Sequence, residues 1–138
     1  MDMRIVSWNC NGALRKKIDQ LLKLDADIYV VQECEDPAQC KDMHYKSWAD
    51  NYLWIGNGKN KGLGVFCKKD ILLALLEWES DGLEYFLPCK INDTITMLAV
   101  WTRQANSPTF GYIGQLWKYL QKHKAKLPTI QAVICGNL

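Results

Sequence analysis

Two apolar runs stand out near the start of the chain, residues 3–8 (MRIVSW) and 27–31 (DIYVV). Neither alternates cleanly, and both are continuous enough to be buried on two faces, as strands of a parallel pair are. Between them Leu14, Ile18, Leu21 and Leu22 recur at helical spacing, while Arg15, Lys16, Asp19 and Lys23 take the other face. Strand, helix and strand within about 30 residues make a βαβ unit. Asn11 stands where its side-chain oxygen can cap that helix.

The pattern then shortens. Residues 45–48 and 52–55 are brief aromatic stretches, 56–60 (GNGKN) is turn chemistry, and 62–67 is apolar again. Residues 71–76, 84–91 and 94–101 read as strands, the last two joined by a tight turn at Asn92-Asp93. This middle stretch predicts an antiparallel meander. Ser107-Pro108 opens a further helix, a cap followed by proline at the first helical position. Ile113, Leu116, Trp117 and Leu120 line one of its faces, Pro128 ends it, and 129–135 is a last buried strand. The order predicts an α/β fold with one mixed β-sheet flanked by helices, in a single domain over 1–138.

Composition narrows the class. The chain has 138 residues, 49% of them hydrophobic, with six tryptophans, which suits a globular core and excludes a disordered chain. A net charge of +2 does not by itself argue for nucleic acid or membrane, and the lysine clusters read as solvated surface. The six cysteines show no C-x-x-C pair and no zinc-finger spacing, and most lie in apolar stretches. They read as free thiols in a reducing compartment. The N-terminus is polar, so no signal peptide is expected. No apolar run approaches the roughly 20 residues that span a bilayer, so a cytoplasmic protein without membrane contact is expected.

Candidate chemistry gathers where apolar strands end. Asn9 and Asn11 follow the first strand and Gln32-Glu33 the second; Trp101 to Gln104 and Gly136-Asn137 follow later ones. In open α/β sheets, ligands collect at the carboxyl ends of strands. Residues 3–12 (MRIVSWNCNG) and 28–34 (IYVVQEC) resemble the opening of the endonuclease/exonuclease/phosphatase superfamily, the DNase I-like fold. That family carries W-N-x-[ND]-G after its first strand and Q-E after its second. Residues 60–68 (NKGLGVFCK), 99–106 (AVWTRQAN) and 133–137 (VICGN) are similar to its later motifs, in the manner of the exonuclease III branch. The resemblance covers the whole chain.

The resemblance implies a metal-dependent phosphodiesterase, most of all a nuclease acting on DNA, with a four-layer α/β sandwich. It makes Glu33 the ligand of Mg²⁺ or Mn²⁺, with Asn9 holding the metal or its water. Asn11 would orient rather than bind. Trp101 and Gln104 would stand near the scissile phosphate, where the amide and the indole N–H can donate. Asn137 matches the acid of the family's G-D-x-N motif, and an amide cannot take a proton there. The motif's closing Asn would fall past Leu138, and neither His44 nor His123 fits the family's late D-H pair. The chain therefore resembles the N-terminal half of such an enzyme, expected to be inactive as it stands. A half-sandwich would expose an apolar sheet face at a cost on the order of 10 kcal/mol, so a missing C-terminal half or self-association is expected to cover it. Two alternatives remain open: a non-catalytic fragment or binding module, and a phosphatase acting on a small phosphorylated substrate.

Overall fold

The computed structural model describes residues 3–78, 85–101, 119 and 132–137. β1 (Ile5–Asn9) and β2 (Ile28–Cys34) pair in parallel, from Ile5 opposite Ile28 to Asn9 opposite Gln32. β3 (Asn51–Gly56) and β4 (Gly62–Cys67) form an antiparallel hairpin whose second strand lies on β2, giving the order β1-β2-β4-β3. β5 (Leu73–Leu75), β6 (Phe86–Ile91) and β7 (Ile95–Trp101) form the expected antiparallel meander. β8 (Ala132–Asn137) pairs in parallel with β7 and completes the order β5-β6-β7-β8. Asn92 and Asp93 between β6 and β7 both adopt left-handed φ, 53° and 58°, as a tight turn there requires.

The α/β class and the mixed pairing hold, but the single sheet is corrected to two. Ile28, Val30, Leu63 and Val65 of the first sheet pack against Leu87, Cys89, Ile91, Met97 and Ala99 of the second in one buried core. Continuous apolar strands announce burial on both faces, and the second sheet supplies the partner for one of them. The apolar face expected to await another segment or copy is thus covered within this chain.

The outer face of the first sheet carries the helical elements. Leu14, Ile18, Leu21 and Tyr45 pack there with Tyr29, Val31 and Phe66. On the outer face of the second, Tyr119 is helical and its ring stacks on Phe86, centroids 4.2 Å apart. Helical elements, sheet and sheet make three described layers, with Tyr119 on the outer face of the second sheet. The rest of the helix expected from Ser107-Pro108 lies outside the described residues, as does Gln104.

Three local expectations are corrected. The first helix is broken into a 3₁₀ turn (Leu14–Lys16) and a short α1 (Ile18–Leu22), because Lys17 leaves the helical region at φ −122°, ψ 6°. Its ammonium turns back to donate to the carbonyls of Cys10 and Gly12. Asn11 is no cap: its φ is 57°, and the amides of Leu14 and Arg15 are instead taken by the distant carboxylate of Glu35, at 2.8 and 3.4 Å. The aromatic stretch at 45–48 belongs to a helix, α2 (Met43–Trp48), capped by Asp42, whose Oδ1 accepts from the Tyr45 amide at 2.9 Å. Its aromatics serve packing rather than strand pairing: Trp48 lies 4.7 Å from Phe66, ring to ring.

Asp27 fastens the start of the parallel pair. Its Oδ2 accepts from the Arg4 amide at 2.8 Å, and its Oδ1 lies 3.3 Å from Lys68 Nζ. The Arg4 hydrogen bond first, then Lys68, hold its pKa below the ordinary 3.8. A carboxyl with a lowered folded pKa contributes stability above its unfolded pKa and loses it as pH falls through the folded one. Asp27→Asn is therefore expected to lower stability at neutral pH and flatten the acid limb of a pH–stability curve below about pH 4. Parallel curves for the two proteins would refute this.

Candidate active site

The carboxyl ends of β1 and β2 build one rim. Asn9 Oδ1 accepts from the Asn11 amide at 3.0 Å, folding the chain sharply as it leaves the strand. Asn11, Gly12 and Ala13 then run through three left-handed conformations, φ 57°, 83° and 52°. Such a run is costly for the two that are not glycine, so it needs outside support. β2 and the nearby lysine give it: the Cys10 amide donates to Gln32 O at 3.1 Å, the Gly12 amide to Glu33 O at 3.0 Å, and Lys17 to the carbonyls of Cys10 and Gly12.

Glu33 is an inserted residue in β2. Gln32 pairs with Leu63 and Cys34 with Gly62, successive positions on β4, so Glu33 has no partner in the ladder. It bulges out at φ 62°. A bulge re-aims a side chain at the cost of local strain, and strain of this kind concentrates at functional sites. The Glu33 carboxylate is 20% exposed and lies 3.6 Å from Lys61 Nζ. The two backbone bonds above bring Asn9, Asn11 and Glu33, three of the residues picked from the sequence, to one rim.

The donor set suits a hard cation. Glu33 offers a carboxylate, and Asn9 Oδ1, with one lone pair given to Asn11, keeps a second. One carboxylate with amide oxygen and waters is an ordinary arrangement for a small hard divalent ion. The nearby thiol adds no soft ligand: Cys10 is 2% exposed, burial pushes it up to about 11, and its S–H donates to Glu33 O. Among the described residues no three His, Cys, Asp or Glu side chains gather into a metal cluster.

Gln32 lies just beneath the rim. It is fully buried, its Nε2 donates to Ser7 Oγ at 3.3 Å, and among the described residues its Oε1 has no partner. Gln32→Met keeps the volume and removes an unpaired buried acceptor, while the exposed Ser7 turns to water. It is expected to stabilise the chain by about 1 kcal/mol, read as a higher urea midpoint at unchanged m. A loss of that size would mean that the amide is needed where it stands.

Trp101 ends β7 in the core between the sheets, 7% exposed, its ring 4.5 Å from that of Tyr85. Asn137 stands opposite Trp101 at the end of β8; its backbone position is described and its side chain is not. Three contributors were missed. Glu35 is buried and caps the rim-side helix; Lys17 clamps the left-handed loop; Lys61 pairs with Glu33. The second acid, Glu35, separated from Glu33 by Cys34 alone, carried the one available hint, since polar groups after a buried strand must find partners or water.

No protein-family model and no curated protein sequence matches the chain. Solved structures do. A 3′ phosphatase, NExo, from Neisseria, bound to a product DNA hairpin, superposes with a TM-score of 0.63 at 20% identity, over 99% of this chain and 57% of its own. An AP endonuclease from Archaeoglobus fulgidus gives 0.65 at 19% identity, over 98% and 56%. The TDP2 of D. rerio, complexed with single-strand DNA product, gives 0.60 at 20%, over 97% and 59%. The chain has the DNase I-like fold. It spans a little over half the length of these DNase I-like neighbours. No helix among the described residues is long and apolar enough to cross a membrane.

Proposed function

We propose that the chain carries the metal- and phosphate-binding rim of a Mg²⁺-dependent phosphodiesterase of the endonuclease/exonuclease/phosphatase superfamily, acting on DNA. The observation that carries this reading is the bulged, left-handed Glu33, joined through backbone hydrogen bonds to the Asn9–Gly12 loop. Glu33 and Asn9 would hold Mg²⁺ or Mn²⁺ through oxygen, and such an ion would supply Lewis-acid stabilisation of the negative charge that builds on phosphate oxygen during hydrolysis. Asn11 orients Asn9 by donating its amide. Gln104 donates to a phosphate oxygen, in the manner the resemblance implies, while Trp101, buried at the end of β7, packs in the core. Beside the rim, an open cavity of about 580 Å³ is lined by Arg15, Lys41 and Lys59 together with the acids Glu35 and Asp42, and its two lysines can reach a nucleic-acid backbone. The five described cysteines are all free, which suits a cytoplasmic setting.

Asn137 favours a second reading. It can donate to water or phosphate but cannot accept the water's proton, so a binding module without turnover is the alternative. One experiment addresses both. The chain is mixed with nicked or abasic duplex DNA and Mg²⁺, with inositol phosphates and nucleotides as the competing panel. Mg²⁺-dependent DNA binding that Glu33→Gln abolishes supports the rim; binding that survives the substitution removes Glu33 from its role. Product beyond one equivalent marks a hydrolase, and stoichiometric binding alone marks a module. Phosphate release from the small substrates alone would transfer the activity to a phosphatase.

A further inference from the structure

Lys61 follows the turn between β3 and β4 and reaches across the rim. Its ammonium stands 3.6 Å from Glu33 Oε1, and its Cε lies 3.5 Å from where a Cβ on Gly12 would be. The lysine stem thus passes beside the left-handed Gly12, at ordinary van der Waals distance from the Cβ position. The turn is tied to the segment beyond β2 by the Asp36 amide, which donates to Lys59 O at 2.8 Å. The lysine is therefore held within reach of Glu33 by backbone at both ends of the crossing. Its side chain is still 55% exposed and free to swing.

An ammonium and a divalent cation claim the same carboxylate. We infer that Lys61 is the resident counter-cation of Glu33, displaced by the divalent ion, and that the displaced ammonium then takes a phosphate oxygen of the substrate. This rests on Glu33 being the metal ligand, as proposed above. Without substrate, Lys61 competes with the ion and weakens its binding. With substrate, the phosphate draws Lys61 away and the ion binds more tightly. By reciprocity of linked binding, the ion then strengthens phosphate binding by the same factor. The site loads metal and substrate together, and its carboxylate is neutralised in both states.

The test uses the 138-residue chain and Mn²⁺, with free ion followed by its electron spin resonance signal. Lys61→Met is expected to bind Mn²⁺ about two- to five-fold more tightly than the parent, the range of an exposed ion pair. Lys61→Arg, which keeps the charge, should stay near the parent. At saturating Mn²⁺, Lys61→Met should lower the slope of log affinity against log salt for a single-stranded oligonucleotide by about one. Equal or weaker Mn²⁺ affinity in Lys61→Met, or an unchanged slope, overturns the exchange. Mn²⁺ binding by Glu33→Gln at parental strength overturns the Glu33 reading itself, and the exchange with it.

Discussion

Replacing Glu35 with alanine is expected to cost about 3 kcal/mol of stability, a fall in Tm of about 10 °C for a domain of this size. The carboxylate is 5% exposed and serves three donors: the amides of Leu14 and Arg15 and the Arg15 guanidinium, the last at 2.8 Å. Without it the Leu14 amide is buried with no acceptor, and the 3₁₀ turn loses its cap. Arg15 itself is largely in water, so its contribution is screened and the loss falls on the buried amides. Glu35→Gln separates these effects. It keeps an acceptor for Leu14 and should lose only about 1 kcal/mol. Urea unfolding of the three proteins reads both numbers. A Glu35→Ala loss no larger than that of Glu35→Gln would show that the amides find other partners.

Gly62→Ala is expected to be as damaging, at about 3 kcal/mol, for a steric reason. A Cβ there would stand 2.3 Å from Ile55 O and 2.4 Å from Cζ2 of Trp54. The oxygen belongs to the backbone of β3, which cannot retreat without opening the hairpin. Gly58, in the turn of the same hairpin, is the control. Its φ is 84° but nothing lies within 4 Å of the Cβ position, so alanine there meets conformational strain alone, about 1 kcal/mol. Equal urea midpoints for the two variants would refute the steric account. The Gly62 variant should also disturb the rim, because Lys61 is its neighbour in the chain.

The parallel pair was legible because continuous apolar runs flanking a helical period admit few other arrangements. The meeting of Asn9 and Glu33 on one rim was legible because polar residues directly after such strands converge wherever the strands run side by side. Glu35 was not, because a second acid past a strand end looks like solvated loop until the helix it caps is seen approaching from the other strand. Asn11 was misassigned for the same reason: its spacing suited a cap, but a carboxylate with better reach took the amides. The helix at 43–48 was hidden by its own aromatics, since Tyr45 and Trp48 favour strands locally and are helical here through packing on Tyr29 and Phe66. The second sheet was hidden because hydrophobic pattern tells how deeply a strand is buried but not which strand lies over it.

The bulge also separates inheritance of the site from inheritance of the scaffold. Because Gln32 and Cys34 face successive residues of β4, deleting the single codon for Glu33 would leave an unbroken ladder with alternation intact. The carboxylate is thus gained or lost in one genetic event that leaves the strand pairing intact, at the expense of the Glu33 carbonyl that holds the Gly12 amide.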